Sequence, residues 1–252
     1  MAIYLGSEKI IFTEGSKVEV ESPYVRQIIE GTISGVYSNS RVSKIGDYAF
    51  DSYSNLVKVD FLNCTFIGLR AFSGCMNLTS ISFPNCITIK NYAFTSCTSL
   101  TSVNFPNCTE IGSSAFAWCS NLTSVSFPNC SYIGHGAFRG CFNLKSINFL
   151  SCNYIYHSAF YSCSNLTSIS CPNCSYIGSG AFEYCHNLLS LYLLSSSVPT
   201  LANTNAFYST PISNYTTSTG GVYGSIYVPA SLYNDYLTAE NWSVYSARIV
   251  SV

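Results

Sequence analysis

The stretch LTSVSFPNCSYIGHGAFRGCFN, residues 122–143, is one copy of a unit that recurs every 22 residues. It opens on alternating polar and apolar residues, continues through a Pro-Asn-Cys turn, and closes on a second apolar group that contains Ala137 and Phe138. Six full copies run from residue 56 to residue 187. A fixed period of this kind predicts a solenoid, in which each copy forms one coil and neighbouring coils share a core.

Residues that stand 22 positions apart occupy equivalent places in successive coils, and we call each such set a column. The alternation at Ser124-Val125-Ser126 predicts a half-buried strand, which Pro128 ends because proline has no N–H to donate. The apolar group from Ile133 to Cys141 predicts the opposite wall of the core. The most regular apolar column consists of Phe50, Phe72, Phe94, Phe116, Phe138, Phe160 and Phe182.

The repeat also carries a family resemblance. Its first nine residues, as in LTSISFPNC at residues 78–86, fit the leucine-rich-repeat pattern L-x-x-L-x-L-x-x-N/C. The longer signature I-G-x-x-A-F-x-x-C-x-N-L-T-S-I resembles the BspA-like class of leucine-rich repeats across roughly residues 42–194. This resemblance implies a mostly β, curved, right-handed solenoid on bacterial or protozoan surface proteins, used for attachment and recognition. It therefore implies an extracellular or cell-surface location.

The limits of the period predict a single domain with a cap at each end. Residues 1–41 carry a degenerate copy and predict an amino-terminal cap, residues 42–210 form the solenoid, and residues 211–252 form a carboxyl-terminal cap of the same domain. Within that last cap, residues 211–221 predict a loop because they are rich in Ser, Thr and Gly. Residues 226–229 predict a last strand and residues 231–242 a short helix.

Charge is scarce and uneven. Charged residues make up 9% of the chain, against roughly 25% in an ordinary globular domain, and the net charge is -1. This balance argues against a nucleic-acid partner, and no apolar run approaches the roughly 20 residues of a membrane-spanning helix. The first residues lack the basic and apolar segments of a secretory signal. Residues 3–10 are similar to the β-rich starts of tail proteins of bacterial viruses, so association with a virion is an alternative location.

Twelve of the thirteen cysteines fall into two columns, and Cys171 stands where other copies have the strand phenylalanine. Equivalent cysteines in stacked coils have parallel Cα–Cβ bonds, which is poor geometry for a disulfide. We expect buried free thiols that donate weakly to loop carbonyls, with some disulfide or a metal site as the alternatives. The two columns are Cys64, Cys86, Cys108, Cys130, Cys152 and Cys174, and Cys75, Cys97, Cys119, Cys141, Cys163 and Cys185.

Candidate catalytic and metal-binding groups are few. His135 and His157 stand 22 residues apart and predict imidazoles side by side on adjacent coils, but no Asp, Glu or Cys completes a metal site in a matching column. No serine column has a His and an Asp that could activate it, and no glycine-rich phosphate loop is present. The sequence therefore predicts neither an enzyme, nor a metal site, nor a cofactor.

Two surfaces are candidates for ligand binding. The strands present an almost uncharged row of hydroxyl and amide groups, which either binds a ligand by hydrogen bonds or reflects the tolerance of stacked strands for serine. A second surface carries exposed aromatic residues, which either bind a partner or stabilise the solenoid as a ladder of rings. The strand positions are Ser80, Ser82, Ser102, Asn104, Ser124, Ser126, Asn148, Ser168, Ser170 and Tyr192. The aromatic positions are Tyr132, Tyr154, Tyr176, Trp118 and Tyr161.

The sequence thus predicts non-enzymatic recognition of a cell-surface protein or glycan by an extended face of a solenoid, as in a bacterial surface adhesin. A tail or receptor-binding component of a virus or prophage is the first alternative. A structural module that binds copies of itself, and so forms a homo-oligomer, is the second.

Overall fold

The computed structural model describes residues 42–213 and 223–252, except for the side chains of residues 146 and 148. It also describes the backbone of four strands within residues 2–5, 8–11, 19–20 and 35–38. The chain is a parallel β-solenoid of about nine turns with little helix, as the repeat predicts. Each regular coil contributes one strand to each of two walls, and the strands within each wall are parallel.

The first wall, which we call the strand face, contains the Ser-x-Ser segments. Equivalent residues pair in direct register, so Ser102 lies beside Ser124 and Val103 beside Val125. The strands of this face form two hydrogen-bonded sheets, one from Gly35–Ser38 to Ser80–Ser82 and the other from Ser102–Asn104 to Ile249–Ser251. Its strands are β4 (Gly35–Ser38), β6 (Leu56–Asp60), β8 (Ser80–Ser82), β10 (Ser102–Asn104), β12 (Ser124–Ser126), β14 (Ser146–Asn148), β16 (Ser168–Ser170), β18 (Ser190–Tyr192), β20 (Ser225–Val228) and β21 (Ile249–Ser251).

The second wall is an eight-stranded parallel sheet of two-residue strands, which we call the second sheet. The buried residue of each strand is Ile or Leu, and the residue before it faces outward. The strands are β5 (Lys44–Ile45), β7 (Phe66–Ile67), β9 (Thr88–Ile89), β11 (Glu110–Ile111), β13 (Tyr132–Ile133), β15 (Tyr154–Ile155), β17 (Tyr176–Ile177) and β19 (Thr200–Leu201).

The core between the two walls is built from the apolar columns. The phenylalanine column continues through Phe207, and neighbouring rings lie 5.0–5.5 Å apart with planes within 7° of parallel. Such ring contacts add to the burial of apolar area that drives folding. Because every coil places the same residue at the same point, one 22-residue pattern specifies the whole stack.

All thirteen cysteines are buried and free, and the expectation that they donate to carbonyls is confirmed. In one column each thiol donates to the coil before it, as from Cys75 Sγ to the carbonyl of Phe50 at 3.1 Å. In the other column each donates two residues ahead, as from Cys108 Sγ to the carbonyl of Glu110 at 3.2 Å. The first of these columns therefore satisfies carbonyls in turns, as predicted, whereas the second satisfies carbonyls of second-sheet strands.

The two ends depart from the regular coil. Near the amino terminus, strands β1 (Ala2–Leu5), β2 (Glu8–Ile11) and β3 (Glu19–Val20) form an antiparallel sheet, and β4 pairs in parallel with β6. The rest of the predicted cap at residues 1–41 lies outside the described residues.

The carboxyl-terminal end corrects two sequence predictions. The helix predicted at 231–242 is shorter: helix α1 is Tyr233–Thr238, with 3-10 turns at Ala230–Leu232 and Ser243–Arg248, because Ala239 is already extended. The strand predicted at 226–229 is β20, but it is not the last, since β21 pairs with it. Residues 211–213 of the predicted loop form a turn and are buried, and the remainder at 214–221 lies outside the described residues. A third 3-10 turn, Thr204–Phe207, precedes this segment.

Candidate functional site

The strand face presents small polar groups in a flat array. Tyr192 stacks on Tyr227 with ring centroids 4.6 Å apart, so an aromatic pair lies near the carboxyl-terminal end of the face, one strand before its edge. Of the predicted binding positions, Ser80, Ser102, Asn104, Ser124, Ser126 and Tyr192 are exposed, and Ser82, Ser168 and Ser170 are half-buried. The side chain of Asn148 lies outside the described residues.

The outward positions of the second sheet carry a cluster of rings. Tyr132, Tyr154 and Tyr176 stand in direct register on adjacent strands, as the period predicts. The ring of Tyr156 lies among them, with its centroid 4.7 Å from that of Tyr132 and 5.5 Å from that of Tyr176. Tyr154 is 44% exposed. We call the cluster the tyrosine patch, and it consists of Tyr132, Tyr154, Tyr156, Tyr176, His135 and His157.

Tyr156 is the member of the patch that sequence reasoning missed. It occupies a column in which the coils on either side have Gly134 and Gly178. Its ring contacts the rings of Tyr132 and His135, and the centroids of Tyr156 and His135 lie 5.1 Å apart. Tyr132 and His135 both belong to the coil before, on either side of Gly134. The replacement of the repeat's glycine by a large aromatic residue was the signal that could have identified this position.

The two histidines of the patch stack, as predicted. Their ring centroids lie 5.1 Å apart and their planes are within 11° of parallel. The backbone N–H of Ser179 donates to His157 Nδ1 at 3.0 Å, so this nitrogen is an acceptor and the neutral ring carries its proton on Nε2. Partial burial and the neighbouring His157 both lower the pKa of His135. Within the described residues, no group of three or more His, Cys, Asp or Glu side chains is placed to hold a metal ion.

A second aromatic surface follows the turn after the Ala-Phe pair. The guanidinium of Arg139 lies between two rings, with Cζ 5.6 Å from the centroid of Trp118 and 4.8 Å from that of Tyr161. Tyr161 in turn meets Tyr184 edge to face, with centroids 5.2 Å apart. We call Trp118, Arg139, Tyr161 and Tyr184 the arginine ridge. Trp118 and Tyr161, both predicted binding residues, thus belong to one surface.

A shallow groove of about 530 Å³ lies on the early coils, along the Pro-Asn-Cys turns. Asn85 and Asn107 both line it, but their amides donate to carbonyls of the preceding coil at 2.8 and 2.9 Å. The groove therefore has its polar groups engaged in holding the coils together. None of the helices in the described part of the chain has the length and apolarity needed to cross a bilayer.

Stacked parallel coils with a strand at the same point of each repeat define a solenoid of the leucine-rich-repeat class. The sequence profile of the family "BspA type Leucine rich repeat region" matches residues 30–129 and 109–222, with six copies, and the chain belongs to this family. Proteins of this family are typically surface proteins and typically non-enzymatic.

Solved structures agree with this assignment of the fold. The chain is similar to a leucine-rich-repeat protein of Treponema pallidum at 28% identity and a TM-score of 0.57, covering 62% of this chain and 78% of that one. A leucine-rich-repeat protein from Bacteroides ovatus shares the fold at 22% identity and a TM-score of 0.64, covering 90% of this chain and 70% of that one. No curated protein has significant similarity to the chain.

Proposed function

We propose that this chain is a non-enzymatic recognition protein that attaches to a cell-surface protein or glycan through the tyrosine patch. The observation that supports this proposal is the gathering of four tyrosines and two histidines on one open surface, with Tyr154 almost half exposed. Tyr offers a large, rigid contact area together with a hydroxyl group, and its ordering on binding costs little side-chain entropy. Typical surface location in the family is consistent with this role.

Binding without catalysis fits the chemistry of the patch. The Nδ1 atom of His157 already accepts a hydrogen bond from the Ser179 backbone, so it is occupied and does not serve as a base. Burial and the nearby Tyr156 and Glu110 raise the pKa of Tyr132, which opposes its ionisation to a nucleophilic phenolate. These groups suit hydrogen bonding to a partner rather than nucleophilic attack.

The test compares two triple variants in the binding of labelled protein to intact bacteria and to extracellular-matrix proteins. Replacing Tyr132, Tyr154 and Tyr176 by Thr removes the patch but keeps a residue that the same column carries at Thr88 and Thr200. The matched control replaces Ser80, Ser102 and Ser124 by Ala on the strand face. We expect the first variant to lose binding and the second to retain it, with both folded by circular dichroism.

The outcomes separate the competing functions. Binding to matrix proteins alone indicates a host-directed adhesin, whereas selective binding to bacteria favours a viral tail or intercellular attachment role. Equal binding by the wild type and the tyrosine variant contradicts the proposal. A wild-type protein that binds neither surface but forms concentration-dependent oligomers also contradicts it, and supports self-assembly. A large drop in thermal stability of the tyrosine variant would identify the patch as a structural ladder.

A further inference from the structure

The arginine ridge holds a cation without an anion. Arg139 is exposed. Among the described residues, its guanidinium has no carboxylate or other hydrogen-bond acceptor, and the ion pair found there joins Arg70 and Asp51. The planar group is held between Trp118 and Tyr161, so it is already oriented. A guanidinium fixed in this way presents its N–H groups as a fork that matches the two oxygens of a carboxylate.

The ridge also places bulky residues where the backbone disfavours them. Trp118 and Tyr184 have φ of +63° and +61°, in a left-handed column that carries Ser or Gly in the other coils. Only glycine adopts this conformation without strain, and strain of this kind concentrates at functional sites. The next coil accommodates the indole with Gly140, where an added Cβ would lie 2.4 Å from Trp118 Cε3. One of these aromatic residues, Trp118, contacts the cation directly, and the other, Tyr184, packs on Tyr161, whose ring also contacts the cation.

The surroundings favour a flat ligand over a peptide. Peptides that are recognised through their backbone add to an open strand edge, where free N–H and C=O groups are available. On the ridge, backbone groups are used between coils, as from Trp118 N–H to the Arg139 carbonyl at 2.7 Å and from Tyr184 N–H to the Tyr208 carbonyl at 2.9 Å. What the ridge offers instead is ring faces beside a guanidinium. Sugar rings have an apolar face that packs on aromatic rings, and their hydroxyls suit Tyr.

We infer that the arginine ridge is a binding site for a carboxylated sugar, with the carboxylate on Arg139 and the sugar ring against Trp118 or Tyr161. Sialic acids and uronic acids share this chemistry. The site is separate from the tyrosine patch and stands independently of the function proposed above, because it involves other residues and a small soluble ligand. Glu183 lies in the same column as Arg139, two coils further on. Because Glu183 is acidic, that end of the ridge disfavours a carboxylate, and we place the carboxylate of the ligand at Arg139.

The experiment measures binding to the full chain by calorimetry and ligand-observed NMR. The probes are sialyllactose and a galacturonic acid trimer, each with a neutral counterpart, lactose and the methyl-esterified trimer. Comparison of the two acids identifies the source of the carboxylate. The variants are Arg139→Gln, Arg139→Lys and Trp118→Ser, the last being a residue that the same column carries at Ser96 and Ser162.

We expect at least one carboxylated sugar to bind more tightly than its neutral counterpart. Arg139→Gln should weaken that binding by about tenfold or more, since a charge-assisted pair is lost, and Arg139→Lys should weaken it because a point charge replaces the fork. Trp118→Ser should weaken it while the fold is retained. The matched control, Lys145→Gln, removes an exposed cation elsewhere and should leave binding unchanged.

Three results would overturn the assignment. They are the absence of binding by either carboxylated sugar, equal binding of acidic and neutral sugars, and unchanged binding by Arg139→Gln. An oligoglutamate peptide that competes more strongly than both sugars would assign the ridge to acidic peptides instead. Each of these results leaves the cell-binding test of the tyrosine patch unaffected.

Discussion

A buried cysteine in this chain fills space and donates one weak hydrogen bond. Cys119, for example, is fully buried and donates to the carbonyl of Phe94 at 3.2 Å. Burial raises the pKa of Cys64 to about 11 and that of Cys119 to about 12, because a thiolate would lose its hydration in the core. Thiolates are the reactive form of cysteine, so these columns are chemically quiet as long as the solenoid is folded.

The raised pKa values predict that alkaline pH destabilises the fold. An unfolded thiol has a pKa of about 8.5, and its folded counterpart stays protonated to higher pH. The stabilisation is therefore complete below about pH 8.5 and is lost as pH rises toward 12, by about 1.4 kcal/mol per pH unit for each such thiol. We expect the urea midpoint to fall between pH 8 and pH 10, and to begin falling below pH 9, where tyrosines of unfolded chains, with a pKa of about 10, are still mostly protonated.

Alkylation provides the control for this prediction. Iodoacetamide should leave the native protein almost unlabelled at pH 8 and should modify all thirteen thiols after unfolding in urea. Rapid labelling of the native protein, or a urea midpoint that does not move up to pH 10, would show that the columns are more accessible than their burial indicates.

At the scale of the element, one coil is tied to the next through asparagine side chains as well as through strands. The Asn129 amide donates to the Pro106 carbonyl at 2.8 Å, and Asn143 donates in the same way to the Ser120 carbonyl at 2.8 Å. In both cases the acceptor lies 23 residues earlier, in the coil before. These bonds satisfy turn carbonyls where no strand is present, which explains why asparagine recurs at these turns.

The substitution Asn143→Asp tests this ladder. At pH 7 it replaces the donor by a carboxylate facing the Ser120 carbonyl, so we expect a loss of about 1–3 kcal/mol in the free energy of unfolding. Protonation restores a donor, so the folded state raises the pKa of the new carboxyl. The loss should shrink at pH 4, as measured by urea unfolding.

Asn104→Asp is the matched control, since Asn104 is exposed on the strand face. It should change stability by less than about 0.5 kcal/mol at either pH. Equal losses for both variants would mean that the charge, and not the lost hydrogen bond, is responsible.

The 22-residue spacing predicts which residues lie in one column, but not which side chains of different columns are in contact. Both walls, the phenylalanine stack and the side-by-side histidines follow from a spacing of 22, because equivalent residues must lie on adjacent coils. The place of the Tyr156 ring among Tyr132, Tyr176 and His135 depends on the direction in which its side chain turns, which no spacing specifies. The positive φ of Trp118 could not be predicted, because its column carries Ser, Gly and Tyr as well as Trp.

The carboxyl-terminal end shows the same limit. It contains no repeat, and its short 3-10 turns are specified by tertiary contacts rather than by periodicity. The sequence therefore predicted too long a helix and one strand too few in this region.

For the whole molecule, the stack needs a closed end. Trp242 is buried over the last phenylalanine of the column, with its ring centroid 6.1 Å from that of Phe207, and its Nε1 donates to the Pro199 carbonyl at 2.7 Å. Tyr245 covers the same phenylalanine from another side, with centroids 5.3 Å apart. The cap thus replaces the coil that would otherwise follow, as a solenoid end requires.

Trp242→Ala should open this end. We expect a loss of about 3–5 kcal/mol, since a large buried ring and its hydrogen bond are removed. The exposed Phe207 and the uncovered coil should also promote association, visible as higher mass in light scattering. Val252→Ala, at a side chain that is 62% exposed, is the control and should change neither quantity. A Trp242 variant as stable and as monomeric as this control would mean that the cap does not close the solenoid.

The distribution of charge over the whole molecule predicts different salt responses for the two aromatic surfaces. The tyrosine patch consists of Tyr and His rings that contact one another, whereas the arginine ridge depends on the charge of Arg139. Raising NaCl from about 0.1 M to about 1 M shortens the screening length from about 10 Å to about 3 Å and weakens an exposed charge pair. We therefore expect cell attachment through the patch to persist in high salt, while binding of a carboxylated sugar to the ridge falls. Attachment to cells that disappears in high salt, and is lost in Arg139→Gln but retained in the tyrosine variant, would transfer the adhesive role from the patch to the ridge.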